Sequence, residues 1–199
     1  MAAEQGDHAE AQSLYEQSLT LERDLGDKRG IANCLSNLGN VAYEQCDYDA
    51  AWVLLEESLA LRRALGDKRG IAICLNNLGN IAYEQCDYAA ARVLIEESLT
   101  LRSALGNKKG IAENIEAFAS LASKEAQEAR SIRLWGAAAA LREVLGAPLP
   151  PTEHDKQERE MTTARGTVDE DAFATAWAQG RAMTMEQAIA YAMGSADIE

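Results

Sequence analysis

The sequence predicts an all-α chain, built from helix hairpins that recur every forty residues and end in a separate helical cap. Three observations predict it. The composition favours helix, the chain repeats itself at a fixed period, and each repeat carries matched helix starts and stops. Of 199 residues, 47% are hydrophobic and 26% charged, the balance of a globular rather than a disordered chain. Aromatics are 6% and prolines number three. Ala, Leu and Glu dominate, and all three are good helix formers.

The period is read by direct alignment. Residues 31–70 and 71–110 differ at ten of their forty positions. Upstream, residues 6–30 match only the second half of that unit. Downstream, Ile111, Leu121, Leu141, Arg142, Leu145 and Gly146 stand forty residues after their counterparts in an otherwise divergent copy. The expected organisation is therefore a truncated first repeat (1–30, second helix only), repeats at 31–70 and 71–110, a degenerate repeat at 111–150, and a helical cap at 151–199.

Each unit reads as two helices. Asp27 and Asp67 have a side chain suited to cap the first helix, which runs to about Glu44 or Glu84. Ile31, Leu35, Leu38, Val41 and Ala42 recur at spacings of three and four, an apolar helical stripe. A break at 45–47 separates it from a second helix running from about Tyr48 to Leu65. Gly66 then supplies a left-handed stop. Beyond the proline-rich 147–151, Thr152 and Asp155 suggest a capping box opening a helix to about Arg165. A helix at about 169–181 carries Phe173 and Trp177. Thr184 with Gln187 opens the last, to about Met193.

Within each repeat the residues resemble the tetratricopeptide repeat family. The resemblance rests on Leu35-x-x-Leu38-Gly39 followed by Ala51 and Leu55. The next copy has Leu75-x-x-Leu78-Gly79, Ala91 and Ile95. The degenerate copy has Ile115-x-x-Phe118-Ala119, Ser131 and Trp135. Small residues at Gly39 with Ala51, and Gly79 with Ala91, let the two helices of a hairpin approach. The repeat length of forty places the chain in the longer-repeat branch. Cys46 and Cys86 stand where the family usually has the glycine that Gly6 supplies here. The resemblance covers about residues 6–150 and implies a right-handed superhelical solenoid of antiparallel helix hairpins, with no sheet. The tail, especially 141–150 and 172–181, resembles the C-terminal end of large bacterial signalling ATPases of the LuxR-like or nucleotide-cyclase-linked kind. That implies a regulatory arm without the catalytic core. The start aligns inside a repeat, so the chain reads as part of a longer protein, or as one whose open edge is covered by a second copy.

The charge excludes several functions. Thirty-two acidic against 19 basic residues leave a net charge of -13, which repels phosphate backbones and anionic membranes. No apolar run is long enough to span a bilayer, and the start lacks a signal-peptide pattern, so the expected location is the cytoplasm. Cys34, Cys74, Cys46 and Cys86 are two repeat positions copied, too far apart for disulfides and without the close spacing of zinc ligands. They read as reduced, mostly buried thiols, and no metal or cofactor is expected. His8 and His154 read as exposed helix-start residues. The sequence has no metalloprotease, esterase or P-loop motif. Gly66-Asp67-Lys68-Arg69-Gly70 lacks P-loop spacing, and Glu56-Glu57 and Glu96-Glu97 read as a solvated face. No catalytic residue is expected, and the chain reads as a non-enzyme.

What remains is surface. In repeat solenoids the first helices line the concave side. Leaving out core positions, the candidate partner-binding set is Asn33, Ser36, Asn37, Asn40, Tyr43 and Glu44, then Ile73, Asn76, Asn77, Asn80, Tyr83 and Glu84. The degenerate copy offers Glu113, Glu116, Ser120, Ser123 and Lys124. Asparagine is a poor helix former, yet its amide donates and accepts at once, which suits a peptide backbone in a groove. Equally, Asn37 and Asn77, or Asn40 and Asn80, could bond each other and stiffen the stack. The family members that grip C-terminal carboxylates carry Lys and Arg at these places, so the resemblance implies no such clamp here. Lys28, Arg29, Lys68, Arg69, Lys108 and Lys109 form a basic row that either meets helix ends or steers an acidic partner. Trp52, where the next copy has Arg92, reads as packing on the half-repeat or as a surface contact. Trp135 reads as core. The expected function is a protein-interaction scaffold holding a protein or peptide partner. Self-association as a homodimer and small-molecule sensing are the alternatives.

Overall fold

The computed structural model describes residues 2–149 and 151–194, and the side chains of these except 2–7, 151 and 152. The described residues hold ten helices and no strand. They are α1 (Ala2–Leu25), α2 (Lys28–Glu44), α3 (Tyr48–Leu65), α4 (Lys68–Glu84), α5 (Tyr88–Ala104), α6 (Lys108–Lys124), α7 (Glu128–Leu145), α8 (Pro151–Thr167), α9 (Glu170–Arg181) and α10 (Met185–Ala192). The chain forms two compact units, residues 1–101 and 102–199.

The helix starts are local chemistry repeated. Asp27 Oδ1 accepts from the Arg29 N–H at 2.9 Å, Asp67 Oδ1 from Gly70 at 3.0 Å and Asn107 Oδ1 from Gly110 at 3.1 Å. Each satisfies an orphan donor of a first turn. The Gly70 N–H, more than any other group, holds the Asp67 carboxyl below its usual range, with Arg62 adding to it. The stops are left-handed, as at Gly66 with φ +67°. At the far end, the expected box forms between Thr184 and Gln187. The helix expected from Thr152 begins one residue earlier, at Pro151, because a ring-locked φ suits the first helical position. The Thr152 side chain lies outside the described residues.

In the first unit, α2 and α3 form a hairpin whose crossing is set by Gly39. A Cβ there would lie 2.8 Å from Leu55 Cγ and 3.4 Å from the Ala51 carbonyl oxygen. Gly39 therefore makes room chiefly for the Leu55 side chain, rather than only facing Ala51. Leu55 is fully buried with Ala51, Leu75, Leu78 and Ile81 in a core joining consecutive hairpins. Burying one such leucine stabilises by about 1.5–3 kcal/mol. Trp52 is half-buried against this core and shares a recess with Ala82 of α4 and with Gln85 just after it. It thus leans on the following repeat, not on the half-repeat that the sequence suggested.

The cysteines separate into two kinds. Cys34 and Cys74 are buried, whereas Cys46 and Cys86 are exposed, which corrects the expectation of mostly buried thiols. The exposed pair sits in the turn between helices with φ +61° and +62°, a region where a side chain costs about 1–2 kcal/mol. A glycine there loses about 0.5–1 kcal/mol in chain entropy. Replacing both, Cys46→Gly with Cys86→Gly, is expected to stabilise the first unit by about 0.5–1 kcal/mol per site. Urea unfolding followed by circular dichroism checks it; a lower midpoint would show that the thiols hold the turn.

In the second unit, α6 and α7 repeat the hairpin, with Ser131 Oγ donating to the Ala119 carbonyl at 2.8 Å where the earlier copies have Ala and Gly. α9 lies across α7 by a closer approach. A Cβ at Gly180 would stand 2.0 Å from the Arg133 carbonyl oxygen, and one at Gly136 2.6 Å from that of Trp177. Ile132, Ala164, Phe173 and Ala176 bury together where α7, α8 and α9 meet.

Candidate functional site

The face assembled by α2 and α4 carries the polar residues that the sequence singled out. Asn40 is exposed, while Asn37, Asn77 and Asn80 are half-buried. Asn77 Nδ2 donates to Asn40 Oδ1 at 2.7 Å. The amides thus bond between repeats on a diagonal, 40 with 77, and not at the matched positions 37/77 or 40/80. This bond uses one amide hydrogen of Asn77 and one lone pair of Asn40 Oδ1. Tyr43, half-buried, donates from its hydroxyl to Glu84 Oε1 at 3.5 Å. Glu44 and Glu84 are exposed at the ends of α2 and α4. The His8 Nδ1 lies 3.2 Å from Glu44 Oε2, so His8 is a half-buried neighbour of this face rather than an exposed helix-start residue. Ile73 is exposed.

Three expected members of the face are interior. Ser36, Asn76 and Tyr83 are buried, with Ser36 meeting Ser58 of α3 and the Tyr83 ring packing on Tyr88 of α5, so the face is narrower than a helical wheel suggests. Ser36 belongs to an internal network. Ser58 donates its one proton to the Ala32 carbonyl at 2.8 Å, so Ser36, 2.8 Å away, must donate to Ser58. Asn33, though exposed, accepts from Arg62 Nη2 at 2.9 Å.

That arginine marks a feature the sequence reading passed over. Arg62, Arg102 and Arg142 stand forty residues apart and all three are buried. Arg62 reaches Ser58, Asp67 and Asn33 at 2.8–3.2 Å. In the second unit, Arg102 donates to the Gly110 carbonyl and to Glu113 at 2.9 Å. Arg142 makes a two-pronged contact with Glu116, with Nη2 2.8 Å from Oε2. Burial pushes the Glu116 carboxyl up against the pull of Arg142. Glu113 and Glu116, read from sequence as groove residues, are thus the partners of buried arginines. The signal that finds them is the forty-residue spacing of the arginines themselves.

Ser120 is also buried, and the reason is α8. Ser120 Oγ lies 3.0 and 2.9 Å from the two oxygens of Glu160. Burial raises the Glu160 carboxyl above its usual range, opposed by Ser120 and by Lys156 and Lys124. The indole of Trp135, buried nearby, adds a weaker pull on the same carboxyl. Ser120 occupies the repeat position of Asn40 and Asn80, so in the second unit the chain's own helix covers this position.

Other candidates carry less. Lys28, Arg29, Lys68, Arg69, Lys108 and Lys109 are exposed in the first turns of α2, α4 and α6, the end of a helix where positive charge is disfavoured. His154, Asp155 and Glu158, exposed on α8, have ligand atoms within 4.8 Å of one another, an arrangement common on solvated acidic helices. No described helix is long and apolar enough to cross a membrane.

The comparisons with known proteins agree with this architecture. The family described as Tetratricopeptide repeat matches residues 1–64 and 53–104, more than half of the chain. No curated protein matches the chain in sequence. Among solved structures, the crystal structure of BtubC (BKLC) from P. vanneervenii superposes with a TM-score of 0.69 at 19% identity, covering 99% of this chain and 78% of that one. At that identity the likeness shows the fold alone.

Proposed function

This chain belongs to the tetratricopeptide repeat family, and from that premise we propose that it is a non-enzymatic scaffold holding a peptide or partner domain on the face of α2 and α4. The observation that carries the reading is the hydrogen bond between side-chain amides of consecutive first helices. Asn37, Asn40, Asn77 and Asn80 lie on the surface of two consecutive first helices, and one bond, Asn77 to Asn40, sets their register. Amides so held present donors and acceptors at fixed spacing, which suits a peptide backbone. The tail phrases at 141–150 and 172–181 support placing this scaffold as the regulatory arm of a larger bacterial signalling protein.

The test is Asn40→Ala with Asn80→Ala, followed by capture of partners and by chemical unfolding. Partner retention should fall while stability changes by no more than about 1–3 kcal/mol, the range for an unpaired polar group. Unchanged capture would end the reading.

A second reading has its own observation. Leu14, Leu21 and Leu25 of α1 are 58%, 63% and 78% exposed, spaced as one stripe on a helix. Self-association through this edge should appear in light scattering as mass rising with concentration toward that of a dimer. A constant monomer mass would remove it.

A further inference from the structure

The repeat lets one unit serve as a guide to what the other lacks. In the second unit α8 rests on α6 at Ser120, and its acidic Glu160 meets Ser120 with Lys124 contributing attraction. The matching positions on α4 are Asn80 and Glu84, and on α2 they are Asn40 and Glu44. Two things change together. The hydroxyl becomes an amide, and the charge at the end of the helix reverses from lysine to glutamate. Among the described residues, Asn40, Glu44 and Glu84 are exposed, whereas Ser120 is buried.

We propose that the face of α2 and α4 receives a helical segment seated as α8 is seated on α6, but carrying lysine or arginine where α8 carries Glu160. This deepens the scaffold reading and rests on it. The amide oxygens at this face accept hydrogen bonds that an ammonium or guanidinium donates. Glu44 and Glu84 supply the opposite charge beside them, and such pairs set partner choice and encounter rate. The net charge of -13 attracts the same partner from a distance. The His8 Nδ1 already lies 3.2 Å from Glu44 Oε2, so a nitrogen-bearing side chain fits against that carboxylate. An acidic helix like α8 itself would meet two glutamates where it now meets Lys124.

The probes are two helix-stapled, fluorescein-labelled peptides with the sequence of residues 151–167, one unchanged and one with Glu160→Lys, titrated against the full chain by fluorescence anisotropy. The resident α8 occupies its own site as an intramolecular ligand, at an effective concentration of about millimolar. Free peptide therefore reads the open face. The lysine peptide should bind about tenfold tighter than the unchanged one, as two exposed ion pairs allow. Glu44→Gln with Glu84→Gln should erase that preference. Glu56→Gln with Glu96→Gln, which alters net charge equally on α3 and α5, should preserve it. Equal affinity for the two peptides, or equal loss in both double variants, would overturn the proposal. If the unchanged peptide binds as well as the lysine peptide and still depends on Asn40 and Asn80, the cationic preference fails while the contact face stands. Binding that ignores Asn40→Ala with Asn80→Ala, or no binding by either peptide, overturns both.

Discussion

Gly180→Ala is expected to lower the stability of the second unit by about 3 kcal/mol or more, at the upper end of the cost of overpacking. The new methyl would lie 2.0 Å from the Arg133 carbonyl oxygen, with that residue's carbonyl carbon and Cα at 2.7 and 2.9 Å. All three are backbone atoms of a helix, so no rotamer change relieves the contact. α9 must move off α7, and the burial of Phe173 and Ala176 against Ile132 goes with it. Gly39 makes a useful contrast inside the same protein. There the nearest atom is the Leu55 side chain at 2.8 Å, which shifts at smaller cost. Thermal melts read by circular dichroism measure the loss, and near-ultraviolet signal from Trp135 and Trp177 locates it. A change below about 1 kcal/mol would mean that α9 slides freely on α7, which close-packed helices do not do.

Glu116→Ala carries the second large effect, a loss of about 3–5 kcal/mol in the same unit. The side chains of Arg142 and Glu116 are only 8% and 12% exposed. Arg142 also donates to the Ala147 carbonyl at the end of α7, at 3.2 Å. Removing the carboxylate leaves a guanidinium desolvated and without its counter-charge. The partner substitution separates charge from packing. Glu116→Leu combined with Arg142→Met should recover most of the loss, since an apolar pair of similar volume carries no desolvation cost. A single variant as stable as the parent would show that water reaches the pair.

Much of the fold was legible because it is periodic and local. The forty-residue spacing, the Asp–Gly punctuation and the apolar stripe are each readable from neighbours in sequence. They place α2, α3 and α4 within a residue or so. The site was half legible. A helical wheel put Asn37, Asn40, Asn77 and Asn80 on one face, and they lie there. It also put Ser36, Asn76, Tyr83 and Ser120 there, and these are buried. Whether a flank position faces water depends on what crosses above it, and for Ser120 that is α8, forty residues away in the chain.

The arginines show the same limit from the other side. Arg62, Arg102 and Arg142 recur at the repeat spacing, but nothing beside them in sequence marks them as buried, because their partners lie on other turns or in other helices. The hydrogen bond from the Asn77 amide to the Asn40 amide joins repeats offset by three residues, which a comparison of matched positions does not register. Cys46 and Cys86 were visible as departures from glycine, but only backbone geometry places them on the outside of a strained turn.

The sequence by itself determined that the chain is helical, where its helices start and stop, and which residues pair inside a hairpin, since capping and 3.6-residue periodicity act over a few residues. Tertiary structure alone decided which polar groups are covered and how closely α9 approaches α7. Those depend on close contact between segments far apart in the chain, and burial is a property of the assembled surface rather than of any one stretch of it.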